Sequence, residues 1–128
     1  MAQPGFLNAS FLVAFGGGAG AWLRYAAGRA IGAGSLPWAT LAVNLFGSLL
    51  MGLLAGWLTR HGSGGETWRL LLGVGVLGGF TTFSAFSLEL ALMIERGSMG
   101  AAATYVAVSV LAGVAALFAG LVLMRVAA

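Results

Sequence analysis

Residues 78–89 read GGFTTFSAFSLE, and this stretch decides how the rest of the sequence is interpreted. It lies within residues 70–88, an uncharged run close to the length that a helix needs to cross a bilayer, about 20 residues. Two adjacent glycines, Gly78 and Gly79, precede four hydroxyl residues and three phenylalanines. Each glycine costs a helix about 1 kcal/mol relative to alanine. We therefore predict that a membrane-spanning helix is broken near residues 78–82.

The composition predicts an integral membrane protein. The chain has 128 residues, of which 60% are hydrophobic and 7% are charged, whereas about a quarter of the residues of soluble proteins are charged. Four long uncharged runs lie between the charges, at residues 6–23, 36–59, 70–88 and 97–124. We predict one all-α transmembrane domain over residues 1–128, with four spans at about 6–31, 36–60, 69–95 and 98–125, and with the third span broken at mid-membrane. The expected location is the cell inner (plasma) membrane, as a multi-pass protein.

Several classes of function are disfavoured by what the sequence contains. It has no cysteine and a single histidine, His61, so a thiolate or imidazole metal site is not expected. Its six arginines form no basic cluster, and we expect no nucleic-acid partner. No pairing of a nucleophile with a base is visible, so we do not expect an enzyme. Residues 1–5 carry no basic side chain, which disfavours a signal peptide.

The arginines give no preferred orientation in the membrane. With four spans, one side would hold Arg60, Arg69 and Arg125, and the other Arg24, Arg29 and Arg96. An excess of basic residues on one side is what normally fixes orientation. With equal numbers, either the orientation signals lie elsewhere or the chain inserts both ways up. Two copies inserted oppositely could pair as an antiparallel, dual-topology homodimer, which resembles the inverted repeats of transporters.

Glycines four residues apart predict close helix packing, because small residues on one helix face let two backbones approach. The pairs are Gly16 with Gly20, Gly28 with Gly32, Gly52 with Gly56, and Gly75 with Gly79. Close packing is also the alternative explanation for the glycines at the predicted break.

Polar side chains inside the spans are candidates for a site. Asn44 lies near the middle of the second span, where an unpaired amide costs several kcal/mol. It either joins two helices or donates to an anion. Arg24 lies late in the first span, so its side chain can reach the lipid headgroups. It can also place an anion-attracting charge at a vestibule, and the two roles are compatible. Tyr105 and Ser109 are one turn apart in the fourth span, although Ser109 could bond back to its own helix.

The chemistry of residues 78–89 suits two kinds of ion. A break frees main-chain carbonyls which, with threonine hydroxyls, are hard oxygen ligands suited to sodium. Phe83 and Phe86 share a helix face; such rings are usually core, but their positive edges can also face an anion. The hydroxyls of Thr81, Thr82, Ser84 and Ser87 are donors close by. Many weak donors without a full positive charge suit the passage of a small, strongly hydrated anion.

Three stretches together resemble the signature sequences of the CrcB/Fluc fluoride channels. They are GGGAGAWLRY (16–25), PWATLAVNLFGSLLMG (37–52) and GGFTTFSAFSLE (78–89), and with the four spans the resemblance covers essentially the whole chain. The resemblance implies an antiparallel homodimer with two pores that exports toxic fluoride passively. It also implies a central sodium ion that is not transported and is held at the break by backbone oxygens.

The motif positions imply residue roles. Gly78 and Thr81 would supply oxygens to sodium, and Arg24 would lie near the vestibule. The residues implied to line the pore or contact fluoride are Asn44, Phe83, Phe86, Tyr105, Ser109, Thr82 and Ser84. The sequence departs from the family pattern at Ala85, where threonine is usual, and at Gly113, where hydroxyl residues commonly continue.

Two other functions remain open on the sequence. A proton-coupled small multidrug exporter also has four spans and dual topology, and it needs a membrane-embedded carboxylate, for which Glu89 is the candidate. Glu89 is otherwise expected to reach the interface or to pair with an arginine. A non-transporting adaptor subunit is the third class.

Overall fold

The structure is a computed structural model that describes residues 3–127, and within this range it is helical and contains no strand. The predicted all-α class is therefore confirmed for these residues. The elements are α1 (Phe6–Ile31), α2 (Trp38–His61), a 3₁₀ turn (Gly62–Gly65), α3 (Glu66–Trp68), a π-helix (Arg69–Leu77), α4 (Gly78–Phe80), α5 (Phe83–Glu95) and α6 (Met99–Val126).

Within residues 3–127, three helical stretches are long and apolar enough to cross a membrane, judged by length and composition: Phe6–Ile31, Trp38–Glu95 and Met99–Val126. The middle stretch has 58 residues, far more than the roughly 20 that one crossing requires. It reverses direction at the 3₁₀ turn, where Gly62 has a φ of 50°, a conformation that glycine adopts without steric cost.

Contacts on either side of this turn show that the middle stretch is an antiparallel hairpin. The farther a residue of α2 lies before the turn, the farther after the turn its contact lies: Leu58 contacts Gly65, Leu54 contacts Gly73, Asn44 contacts Thr82 and Thr40 contacts Glu89. This arrangement places the polar residues of α2 against the second half of the hairpin.

Glycines set the closest helix contacts. A Cβ on Gly20 of α1 would overlap the Val76 carbonyl oxygen, and a Cβ on Gly79 would overlap the Gly17 carbonyl oxygen. The helices α2 and α6 meet in the same way at Gly52 and Gly120. Three of the four predicted glycine pairs therefore lie at helix contacts. The pair Gly28 and Gly32 does not, since Gly28 faces open space and Gly32 ends α1 with a φ of 80°.

The chain leaves helical geometry at Thr81 and Thr82. Their φ and ψ angles are −84° and 158°, and −151° and 124°, both extended. Gly78, by contrast, is helical at −62° and −39°. The interruption lies within the predicted interval 78–82, but the reason given from the sequence was wrong. The two glycines do not interrupt the helix, and Gly79 instead permits close contact with α1, which was the alternative explanation.

Large apolar side chains cover the outside of the protein. Phe11, Phe15, Leu111 and Phe118 are among the exposed ones, while few side chains are buried. An apolar exterior of this extent marks a surface that contacts a membrane or a partner. Together with the long apolar helices, it identifies a multi-pass membrane protein.

Candidate functional site at the helix break

Asn44 of α2 holds the extended residue Thr82 with both ends of its side-chain amide. Its Oδ1 accepts from the Thr82 N–H at 2.8 Å, and its Nδ2 donates to the Thr82 carbonyl at 2.9 Å. An extended residue inside a membrane protein needs such partners, because lipid cannot satisfy its backbone groups. Asn44 therefore joins two segments, as one of its two sequence-based interpretations predicted. One N–H of its amide remains beyond these two bonds.

Thr82 also caps the helix that follows. Its Oγ1 accepts from the Ala85 N–H at 3.1 Å and lies 3.3 Å from the Ser84 Oγ. Threonine at this position satisfies one of the free N–H groups at a helix start, which explains why α5 begins at Phe83. The N-terminal end of α5, where the helix dipole is positive, therefore lies directly beside the break.

An open groove of about 330 Å³ lies along the break. It brings together six of the residues predicted from the sequence: Asn44, Thr81, Thr82, Phe83, Phe86 and Ser109. Gly78, Ser84, Tyr105 and Arg24 are not among its lining residues. The groove thus collects amide, hydroxyl and aromatic groups, and none of its lining side chains carries a charge.

The two phenylalanines differ in burial although they share a helix face. Their ring centroids are 5.7 Å apart. Phe83 is 79% exposed in the single chain, whereas Phe86 is 8% exposed and packs on the Tyr105 ring with centroids 5.0 Å apart. Phe86 is therefore both a core residue and a groove residue, while Phe83 projects from the chain.

Ser109 is the unsatisfied polar group of the groove. Its Oγ is buried and has no hydrogen-bond partner among residues 3–127. Ser10, Ser87 and Thr104 each bond back to a carbonyl four residues earlier, and the sequence left the same possibility open for Ser109. The structure does not use it, although Ser109 is among the residues that line the groove.

Glu89 lies away from the groove in a small polar cluster. Thr40 Oγ1 donates to Glu89 Oε1 at 2.6 Å, and the Tyr105 hydroxyl donates to Oε2 at 2.8 Å. The expected pair with an arginine is not formed within residues 3–127, because two neutral hydroxyls bind this carboxylate instead. Tyr105 was predicted to line the pore, but its hydroxyl is directed to this carboxylate.

Sequence interpretation missed two polar residues of α2 near the site. Thr40 binds Glu89 and Ser48 lines the groove, one turn before and one turn after Asn44. Residues four apart share a helix face, so the 40, 44, 48 spacing of polar residues was the signal that could have identified both.

Arg24 reaches the other side of the break. Its Nε donates to the Gly79 carbonyl at 3.1 Å. The side chain lines a second cavity, of about 310 Å³, together with Arg29, Thr40 and Thr82. Ala85 lines this second cavity and not the groove. The departure from the family motif at Ala85 therefore removes a hydroxyl from the cavity beside Arg24.

The backbone around the break suits a hard cation. In a continuous helix the N–H groups of Thr82 and Ala85 would donate to the carbonyls of Gly78 and Thr81. Here those N–H groups donate to Asn44 Oδ1 and Thr82 Oγ1 instead. The carbonyls of Gly78 and Thr81 thus lose their helical donors, and these are the two residues implied to hold sodium. The proton of the Thr81 hydroxyl is used, since Oγ1 donates to the Leu77 carbonyl at 2.8 Å.

The fold and the site define a multi-pass membrane protein with a groove at a helix break, whose lining is uncharged and includes amide, hydroxyl, aromatic and aliphatic groups. Residues 11–121 match the family described as CrcB-like protein, Camphor Resistance (CrcB). The chain is 60% identical to the fluoride-specific ion channel FluC of Novosphingobium aromaticivorans, over 93% of this chain and 98% of that protein. It is 59% identical to the protein of the same name in Phenylobacterium zucineum and 54% identical to that of Caulobacter vibrioides, in each case over 93% of this chain and 97% of the relative.

The chain belongs to the CrcB family, and the resemblance predicted from its three sequence stretches is confirmed.

Proposed function

We propose that this protein is a fluoride channel that exports cytoplasmic fluoride by passive permeation. Its relatives are named as fluoride-specific ion channels, and they match nearly the whole chain. The observation that carries the proposal is the groove at the break, which is lined by neutral donors and ring edges. It is a channel and not an enzyme.

The groove chemistry fits weak, repeated contact with an anion. The free N–H of Asn44 and the unpartnered hydroxyl of Ser109 are donors that the fold itself does not use. Phe83 and Phe86 offer ring edges of positive potential between these donors. A passing ion must bind well enough to enter and weakly enough to leave, so neutral groups conduct where a buried arginine would trap it.

Four membrane crossings are the topology we propose, in the inner membrane. α1, α2 and α6 have 26, 24 and 28 residues, which correspond to about 36–42 Å at 1.5 Å per residue and exceed the roughly 30 Å hydrocarbon core. The hairpin supplies the second and third crossings. Trp38 lies at one end of the helices and Trp57 and Trp68 lie near the other, as expected of interfacial aromatic residues.

The functional unit we propose is an antiparallel homodimer. The exposed Phe83 ring and the open side of the groove lie on the surface of a single chain, and a second copy would close them. The equal numbers of arginines at the two ends support insertion in both orientations. A two-fold axis would then generate two grooves of opposite direction.

A structural sodium ion is the cofactor we propose, held by the carbonyls of Gly78 and Thr81. Both carbonyls lose their helical donors at the break, and Gly78 is exposed on the surface of the single chain. A bound sodium ion would supply positive charge to these oxygens. In the proposed dimer it would stabilise the helix breaks of both subunits where they face each other. Sodium replacement by a large organic cation should lower the thermal midpoint of the purified dimer, whereas an unchanged midpoint would refute this cofactor.

Fluoride efflux from liposomes tests the function. Reconstituted protein should release fluoride, followed with an ion-selective electrode, and should retain chloride under the same gradient. Flux no greater than from protein-free vesicles would exclude a fluoride channel. The exporter alternative predicts proton-driven drug efflux that Glu89→Gln abolishes. An adaptor predicts no conductance and constant co-purification with a larger partner.

A further inference from the structure

Arg24 continues the face of α1 that contacts the first part of the broken segment. Gly16, Gly20 and Arg24 are spaced four apart, so they share one helix face. A Cβ on Gly16 would overlap the Leu71 carbonyl oxygen, and a Cβ on Gly20 that of Val76. The contacts advance in the same direction along both segments. Arg24, one turn further on, therefore reaches the last helical carbonyls before the break.

The carbonyl that Arg24 binds is one that the break deprives of its donor. In a continuous helix the Phe83 N–H would donate to the Gly79 carbonyl. Phe83 instead begins α5, beyond the two extended threonines. The Arg24 Nε replaces that donor at 3.1 Å, in a partly buried position. A carbonyl left without a partner at this depth would be costly.

Two side chains thus select which backbone oxygens at the break are satisfied. Arg24 occupies the Gly79 carbonyl and Asn44 occupies that of Thr82. Of the other carbonyls at the break, those of Gly78 and Thr81 have their helical donors redirected, and that of Phe80 loses the Ser84 N–H as its helical donor. The pattern of satisfied and unsatisfied oxygens is therefore not a property of the break alone.

We propose that Arg24 is a positioning residue of the helix break, which acts by donating from Nε to the Gly79 carbonyl and not through its charge. By occupying this oxygen, Arg24 withholds the Gly79 carbonyl from a cation and leaves those of Gly78, Phe80 and Thr81. Gly78 and Thr81 are the two used by the sodium site proposed above, on which this consequence rests. This role is separate from attracting anions to a vestibule, which needs only the positive charge.

Two substitutions separate the donor from the charge. In Arg24→Gln the amide nitrogen stands at the same number of bonds from Cα as the arginine Nε, so the donor is kept and the charge is lost. In Arg24→Lys the charge is kept, but a methylene group stands where Nε was. Arg29 lines the same cavity and has no side-chain hydrogen bond within residues 3–127, so Arg29→Gln and Arg29→Lys are matched controls.

Hydrogen exchange of the reconstituted full-length protein, read by mass spectrometry on peptides covering residues 78–84, measures the order of the break. Arg24→Lys should accelerate exchange there about tenfold, the effect of losing one hydrogen bond, while Arg24→Gln should stay within about threefold of wild type. Both Arg29 variants should match wild type. Peptides from α6 provide the internal reference for global stability.

The outcomes separate this role from the alternatives. Wild-type exchange in Arg24→Lys, equal exchange in the two Arg24 variants, or equal acceleration in α6 would each overturn it. The thermal midpoint measured at increasing sodium concentrations adds a second readout. Arg24→Gln should reach half of the sodium-dependent rise at the same sodium concentration as wild type, whereas Arg24→Lys should reach it at a different one. If wild-type protein shows no sodium effect, the sodium site is refuted, while the exchange result still decides the role of Arg24.

Discussion

Residues 69–80 and residues 83–95, on either side of the break, are held in the protein by different kinds of contact. The first part, the π-helix and α4, lies against α1 with backbone touching backbone at Gly16, Gly20, Gly75 and Gly79. Such contacts depend on the absence of side chains. They gain dispersion energy from close approach, and α1 adds one polar contact, the hydrogen bond from Arg24 to the Gly79 carbonyl at the end of this part.

The second part, α5, is held through side chains. Asn44 holds its capping residue, Thr40 and Tyr105 bind Glu89, and Phe86 packs on Tyr105. Hydrogen-bonding groups on this side are the ones that an ion or water molecule in the groove can compete for. The comparison indicates that the glycine contact anchors the break and that the polar side carries the chemistry.

The largest effect is expected from Gly20→Ala in the glycine contact. The added Cβ would overlap the Val76 carbonyl oxygen and approach the Phe80 N–H, and both are backbone atoms that cannot rotate away. Overpacking of this kind costs about 1–3 kcal/mol or more. The thermal midpoint of the purified protein should fall sharply, and with it the yield of dimer in size-exclusion chromatography.

Gly18→Ala is the matched control for Gly20→Ala, two residues away in the same helix. No atom lies within 4 Å of a Cβ at Gly18, and alanine in a helix is about 0.5–1 kcal/mol more favourable than glycine. Gly18→Ala should therefore keep or raise the midpoint. Equal loss of stability in both variants would show that the glycine contact does not anchor the first part.

Asn44→Ala is the second test, and it should lower both flux and stability. It leaves the N–H and carbonyl of Thr82 without their partners, each at a cost of about 1–3 kcal/mol, and it removes a groove donor. Fluoride efflux should fall at least about tenfold, which corresponds to 1.4 kcal/mol. Asn8→Ala, at an exposed asparagine of α1, should leave efflux unchanged.

Asn44→Asp sharpens this test, because it keeps the acceptor for the Thr82 N–H and loses the donor. Its thermal midpoint should lie between those of wild type and Asn44→Ala, while its efflux should be as low as that of Asn44→Ala, since a carboxylate repels the anion. Wild-type efflux in either variant would contradict a role for Asn44 in the groove.

The class of protein and its family could be predicted from the sequence, because both depend on local features. Long uncharged runs give spanning helices whatever their packing, and residues 78–89 are specific enough to indicate the family. The cause of the break could not be predicted. Two adjacent glycines are weak helix formers in an isolated segment, but at Gly79 the close contact with α1 favours the helix. The partners that hold Thr82 extended come from α2, which is distant in the sequence.

The partners of the polar side chains were also beyond prediction, because they depend on how helices distant in sequence meet. Glu89 pairs with Thr40, 49 residues away, and Arg24 with Gly79, 55 residues away. No periodicity within one helix encodes such distances. The positions of the predicted site residues in the groove are now described, and their contact with fluoride or sodium stays a prediction.

Ser109→Ala should have the smallest effect on stability and still reduce flux. The Ser109 hydroxyl is buried without a partner among residues 3–127, so its removal should leave the thermal midpoint unchanged or slightly raised. The same hydroxyl lines the groove, and losing one donor to a passing anion should lower fluoride efflux by about threefold to tenfold. Ser10→Ala, which removes a hydroxyl bonded within α1, should not change efflux. A lower midpoint together with normal efflux in Ser109→Ala would mean that this hydroxyl supports the fold and does not serve the anion, and the second N–H of Asn44 would then be the one remaining of the two donors on which the channel proposal relies.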